Sequence, residues 1–164
     1  MRVGTFFLVV ALGLVVSAGN VAGQSQTADP RVAEQLNRLG LHYTITTSGN
    51  YSIKYSLDNG RSQTVYIMGQ TEKYQDTEIR EMWSRAGTYD AVPPADVLQG
   101  LLEESGTKKI GFWSIEKDDA GGYIVYFSVR VPVYVKDSDL GALLGLTADT
   151  ADQKESELFD VDEE

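Results

Sequence analysis

The sequence predicts an α+β fold of two layers, an antiparallel sheet with its helices on one face, in the order α-β-β-β-(β)-α-β-β-α. Period-2 runs broken by turn residues occupy residues 41–68, and a second pair of such runs brackets "DDAGG" at 118–122. Three segments with apolar residues at three- and four-residue spacing stand before, between and after those runs. Strands bury every second side chain and helices every third or fourth, so the two spacings separate the two layers.

The first helix has Asp29 as its cap, Pro30 at its first position, Val32, Leu36 and Leu39 as its apolar stripe and Gly40 as its stop. Leu41, Tyr43 and Ile45 alternate with His42, Thr44 and Thr46, and Tyr51, Ile53, Tyr55 and Leu57 alternate with Ser52, Lys54 and Ser56. Gly49-Asn50 and Asn59-Gly60 tolerate positive φ, so the runs read as consecutive hairpins. In the third run Val65 and Ile67 continue the buried face, while Tyr66 and Met68 point the other way. "QDTEIREMWSRAG" admits a helix through Ile79, Met82 and Trp83, but "YIMG" needs an edge partner, which favours a strand over 76–86. Pro93 and Pro94 open a second helix with Val97, Leu98, Leu101 and Leu102 as its stripe and Gly106 as its stop. In the last hairpin Tyr123, Val125, Phe127, Val129, Val131 and Val133 share one face, with Ile124, Tyr126, Ser128 and Arg130 on the other. Pro132 sets that strand's end at an edge or bulge. A final helix runs from Asp137 or Ser138 to about Phe159.

Ahead of these elements, Arg2, the apolar run Val3–Val16 and the small residues of "SAGNVAG" have the layout of a Sec-type signal peptide. Residues 1–23 are assigned to it, with cleavage after Gly23, a cut after Gly19 also fitting; a membrane span needs a longer run, of roughly 20 residues. Residues 24–29 read as a flexible leader, 30–159 as one domain and 160–164 as a disordered acidic tail. Export to the periplasm or the exterior follows. The roughly 140 residues left are enough for one core. The chain has no cysteine, so that core alone holds it, without disulfides. A formal charge of −10 disfavours nucleic acid and anionic membrane as partners, because both need a basic face.

The ordered set "RSQTVYIMG", "DTEIREMWSRAG", "VLQGLLEESGTKKIGFWSIEK" and "YIVYFSVRVP", closed by Ala151-Asp152, Glu155, Leu158 and Asp162, resembles the YbjN-type domains, which share the type III secretion chaperone-like fold. The likeness spans nearly all of the chain after residue 23, and departs from the family at Phe159-Asp160, where a small residue and a glycine are usual. It implies a strand at 76–86 and a protein-binding module, in some members chaperone-like and dimeric, in others a sensory or stress regulator. It brings no catalytic residue set.

With one histidine and no cysteine, nucleophilic triads reduce to His42 plus a serine, and His42 falls on the polar face of its strand. Glu78 and Glu81 beside Trp83 are the one carboxylate pair that could work on a glycan, but glutamates on an exposed strand are ordinary. No phosphate loop is present, and neither metal nor cofactor is expected. The sharper expectation is a binding face of Tyr66, Met68, Trp113, Ile124 and Tyr126, with Trp83 as a further candidate and Lys54 and Arg130 at the rim. Such a face would receive a protein partner or a second copy. A small-ligand or glycan-binding envelope protein, which would need a deep aromatic pocket, is the alternative.

The acid-rich end separates on a helical wheel: Leu140, Leu144, Ala148, Ala151 and Leu158 lie on one side, Asp149, Asp152, Ser156 and Glu157 on the other. Glu155 falls inside the apolar side, so a buried carboxylate with an arginine or backbone amide as partner is expected there.

Overall fold

A computed structural model describes residues 27–57 and 60–159. The signal segment, residues 24–26 of the leader, Asn59 and the 160–164 tail lie outside the described residues. Chain order is α1 (Pro30–Arg38), β1 (Thr44–Ile45), β2 (Tyr51–Ser56), β3 (Ser62–Ile67), β4 (Glu72–Tyr74), β5 (Thr77–Tyr89), α2 (Ala95–Thr107), β6 (Phe112–Lys117), β7 (Tyr123–Pro132) and α3 (Asp137–Leu158). The architecture is α+β, with one antiparallel sheet in the order β1-β2-β3-β5-β7-β6 and β4 paired to β5 beyond the end of β3.

β5 is the spine of this sheet. Along one side it meets β4 at 77–79 and then β3 at 82–84, and along the other it runs against β7 from Ile79↔Pro132 to Tyr89↔Tyr123. The ambiguous segment 76–86 is therefore strand, because only an extended chain can satisfy neighbours on both sides. A bulge between Arg85 and Gly87 shifts its register and leaves Ala86 buried. Gly87 has φ +145, and a Cβ there would stand 2.1 Å from the Phe159 ring. The ring in turn packs against Tyr89 with centroids 5.1 Å apart. Phe159 thus uses the space that Gly87 leaves open.

One sheet face carries Tyr51, Ile53, Val65, Ile67, Met82, Val125, Phe127, Val129 and Val131, all buried, and the helices cover it. α1 packs through Val32 and Leu36, and α3 through Leu140, Leu144, Ala148 and Ala151, whose small alanines bring its backbone close to the sheet. α1 is fastened at both ends. The Asp29 side chain caps it by accepting from the Arg31 amide and also pairs with buried Arg80; Arg31 reaches Glu78, and Arg38 reaches Asp137.

Two expectations need correction. Only Thr44–Ile45 of the 41–46 run forms a strand, and Ile45 is 54% exposed. The run lies at the sheet margin, where Leu41 and Tyr43 pack on the core without a ladder. In α2 only Leu101 is buried, and Leu102 is 73% exposed. This helix sits over the edge strand β6, so a single row of its stripe meets the sheet.

Candidate functional site

Antiparallel partners project to the same side, so the registers divide the sheet into two faces. Opposite the helices stand Ser52 and Lys54 of β2, Thr64 and Tyr66 of β3, Ile79, Glu81, Trp83, Arg85 and Thr88 of β5, Ile124, Tyr126, Ser128 and Arg130 of β7, and Phe112, Ser114 and Glu116 of β6. Among the described residues no helix covers this side.

An aromatic row crosses its middle. Tyr66 stacks on Trp83 at 4.3 Å between centroids and 21° between planes, and Tyr126 meets Trp83 edge-on at 4.7 Å. All three are only partly buried. Burial first, and then the nearby Glu116 carboxylate, push the Tyr126 hydroxyl above its ordinary pKa. At the far side Arg130 lies 5.0 Å over the Phe112 ring and donates to Glu81 at 2.8 Å. A depression of about 250 Å³ opens beside the row, lined by Asn50, Met68, Glu81, Trp83, Ser114, Glu116, Tyr126 and Ser128. Groups from before β2 and from β6, nearly the full width of the sheet apart, share one hollow. The open face is therefore concave.

The structure brings together Tyr66 and Tyr126 through Trp83 and sets Met68 at the margin of the hollow, with Ile124 on the same face one hairpin step away. Trp113 is not part of this face. It is 6% exposed, stands opposite Phe127 on the helix side, and meets that ring edge-on at 5.1 Å. The alternation of β6 is mixed, with an aromatic at both Phe112 and Trp113, so its sequence does not say which phase faces the core. Pairing with β7 decides it. Trp83 takes the place assigned to Trp113, a position legible in the sequence once 79, 81, 83 and 85 are read as one strand face. Ser128 and Glu116 carried no sequence signal, being a small hydroxyl and an ordinary exposed carboxylate until register placed them beside Tyr126.

Glu155 is 1% exposed and accepts from Arg61 Nη2 at 2.6 Å and Gln63 Nε2 at 3.0 Å. The Ser84 hydroxyl lies 2.7 Å from Gln63 Oε1 and extends the network across β3 and β5. Asp152, assigned by the wheel to the wet side, instead accepts from Arg61 Nε and is partly buried. The wheel places residues by angle alone, whereas the long arginine of β3's approach reaches two successive turns of α3.

Glu78 and Glu81 point to opposite sides of β5. Glu78 accepts from Arg31 and from Thr71 Oγ1 at 2.6 Å, and Glu81 pairs with Arg130. They do not flank a common bond. His42 is exposed, and no cluster of three metal-ligating side chains occurs among the described residues.

No protein-family model matches the sequence, and no curated protein does. Among solved structures, the crystal structure of YbjN from E. coli is similar over 77% of this chain and 86% of that one, with a TM-score of 0.46 and 9% sequence identity. An identity that low transfers no residue role.

Proposed function

We propose that this chain is an exported, non-enzymatic protein-binding module that works through its open sheet face. The observation that carries the reading is the row Tyr66–Trp83–Tyr126, partly exposed on a concave face that no described helix covers, while the opposite face holds the core. Large aromatics in such a setting supply contact area at low entropic cost, and the surrounding Ser, Thr and Glu side chains form the polar rim of an interface. The N-terminal sequence of residues 1–23 supports export.

The edge offers a second, smaller contact. Asp118 N bonds Gly122 O and Trp113 N bonds Ser105 Oγ, so the even residues of β6 face β7 while Ile115 and Lys117 turn their main-chain groups outward. A partner strand could add there. Glycan stacking is the weaker reading, because a sugar ring needs a free aromatic face and Tyr66 covers one side of Trp83.

The test is a photo-crosslinking amino acid at position 126 in cells, with capture compared in the otherwise unchanged chain and in a Trp83→Ala chain. A discrete captured protein lost on Trp83→Ala supports the reading. Undiminished capture, or none at all, removes the face from it.

A further inference from the structure

Between α2 and β6 lies a groove of about 280 Å³ lined by Leu98, Leu101, Leu102, Trp113, Ser114 and Ile115, none of them charged. Leu102 is exposed, and the buried Trp113 indole N–H meets no acceptor among the described residues, whereas a finished core ordinarily pairs such a donor. β6 ends the sheet, so the outward main-chain groups of Ile115 and Lys117 meet no further strand among the described residues. At Trp113 the edge is closed, because that amide donates to Ser105 Oγ at 2.8 Å. Free ladder positions and apolar groove therefore adjoin at Ile115.

An antiparallel strand added here exchanges both main-chain hydrogen bonds with Ile115, and the residue opposite projects to the same side as Ile115 does. Ile115 stands across from buried Val125, on the helix side, so that projection is toward the groove under α2. A second copy fits this edge badly. Pairing centred on Glu116 sets two glutamates opposite each other, and pairing centred on Lys117 sets two lysines so; like charges directly opposite repel. Pairing centred on Ile115 spends Lys117 on Trp113, whose amide is already bonded.

We propose that the β6 edge takes an extended segment of the partner protein as an added strand, with an aliphatic side chain opposite Ile115 seated in the groove and basic residues on the neighbouring positions. The inference rests on the protein-binding reading and deepens it by naming the partner's chemistry. Main-chain bonds at Ile115 and Lys117 supply affinity, and the groove selects the side chain. Basic neighbours complement Glu116, opposite one of them, and a chain of net charge −10.

The test titrates the ¹⁵N-labelled full chain with the peptide Ac-Thr-Lys-Leu-Lys-Thr-NH2, following the Ile115 and Lys117 amides and the Trp113 indole. Three control peptides replace the leucine by serine, the leucine by N-methyl-leucine, and both lysines by glutamate. The parent peptide is expected to shift all three signals, and the serine control to bind about tenfold more weakly or worse, as the loss of a buried leucine implies. The N-methyl and glutamate controls also bind more weakly, and Leu102→Glu, a change at an exposed position, removes parent binding. No response to the parent peptide overturns the proposal, as does equal binding of any control, a response confined to Trp83 and Tyr126 signals, or indifference to Leu102→Glu. A dimer in sedimentation that Leu102→Glu dissociates also overturns it, because the groove would then hold a second copy. Position-126 crosslinking separates the two readings: capture lost on Trp83→Ala in a chain that binds no peptide ends the edge site and leaves the open face standing.

Discussion

Glu155 shows what one residue can reveal in advance. An acidic side chain on the apolar side of a helix must find a partner, and the pairing with Arg61 and Gln63 supplies two. Glu155→Ala leaves the Arg61 charge with fewer acceptors in a site only 18% exposed. It should cost about 3–5 kcal/mol of unfolding free energy in urea denaturation, the range for breaking a buried pair from one side. The two tryptophans give a sharper contrast. Trp113→Ala opens a cavity in the core and should cost about 3–5 kcal/mol. Trp83→Ala truncates a partly buried ring on the open face, loses its contacts to Tyr66 and Tyr126 and should cost about 1–2 kcal/mol, less than Trp113→Ala, while abolishing partner capture. Equal losses of stability would contradict the assignment of the two rings to opposite faces.

At the scale of elements, α1 is held by acid-sensitive contacts. Hydrogen bonds from Arg31 and Thr71 hold Glu78 at about 2 against an ordinary 4.5, those of Arg31 first. Those from Arg31, opposed by burial and helped by Arg80, hold Asp29 well below the usual carboxylate range, and Arg38 lowers Asp137. Each folded pKa is depressed, so the stabilisation is complete above the ordinary carboxylate values and is lost as pH falls from 4.5 toward 2. Hydrogen exchange over that window should show α1 amides losing protection before those of β5 and β7, and Asp29→Asn should blunt the effect. The bulge in β5 makes a second element-scale prediction. Gly87→Ala forces both a strained φ and a clash with the Phe159 ring. It should lower the melting temperature, and adding Phe159→Ala should recover only the part due to the clash.

For the whole molecule the arrangement is asymmetric, one face closed by three helices and the other left concave and aromatic. Export is testable at this scale: the chain produced in a Sec-competent host should yield a product whose intact mass begins at Gln24, or at Asn20 for the alternative cut. A product retaining Met1 in the cytoplasm would contradict it. The same preparation carries the crosslinking comparison, since a binding face acts on whatever shares its compartment.

How much of this was legible in the sequence depends on what each feature requires. Local periodicity and punctuation determined the element types outside 76–86, the α1 cap at Asp29, the extent of α3 and the need for a partner at Glu155, because spacing and φ preferences act within a few residues. Tertiary structure alone decided which aromatic faces outward, how far β1 extends, and that Glu116 and Ser128 share a hollow with Trp83. Those outcomes depend on strand register across the sheet, where a shift of one residue reverses every side chain, and no local pattern contains that register.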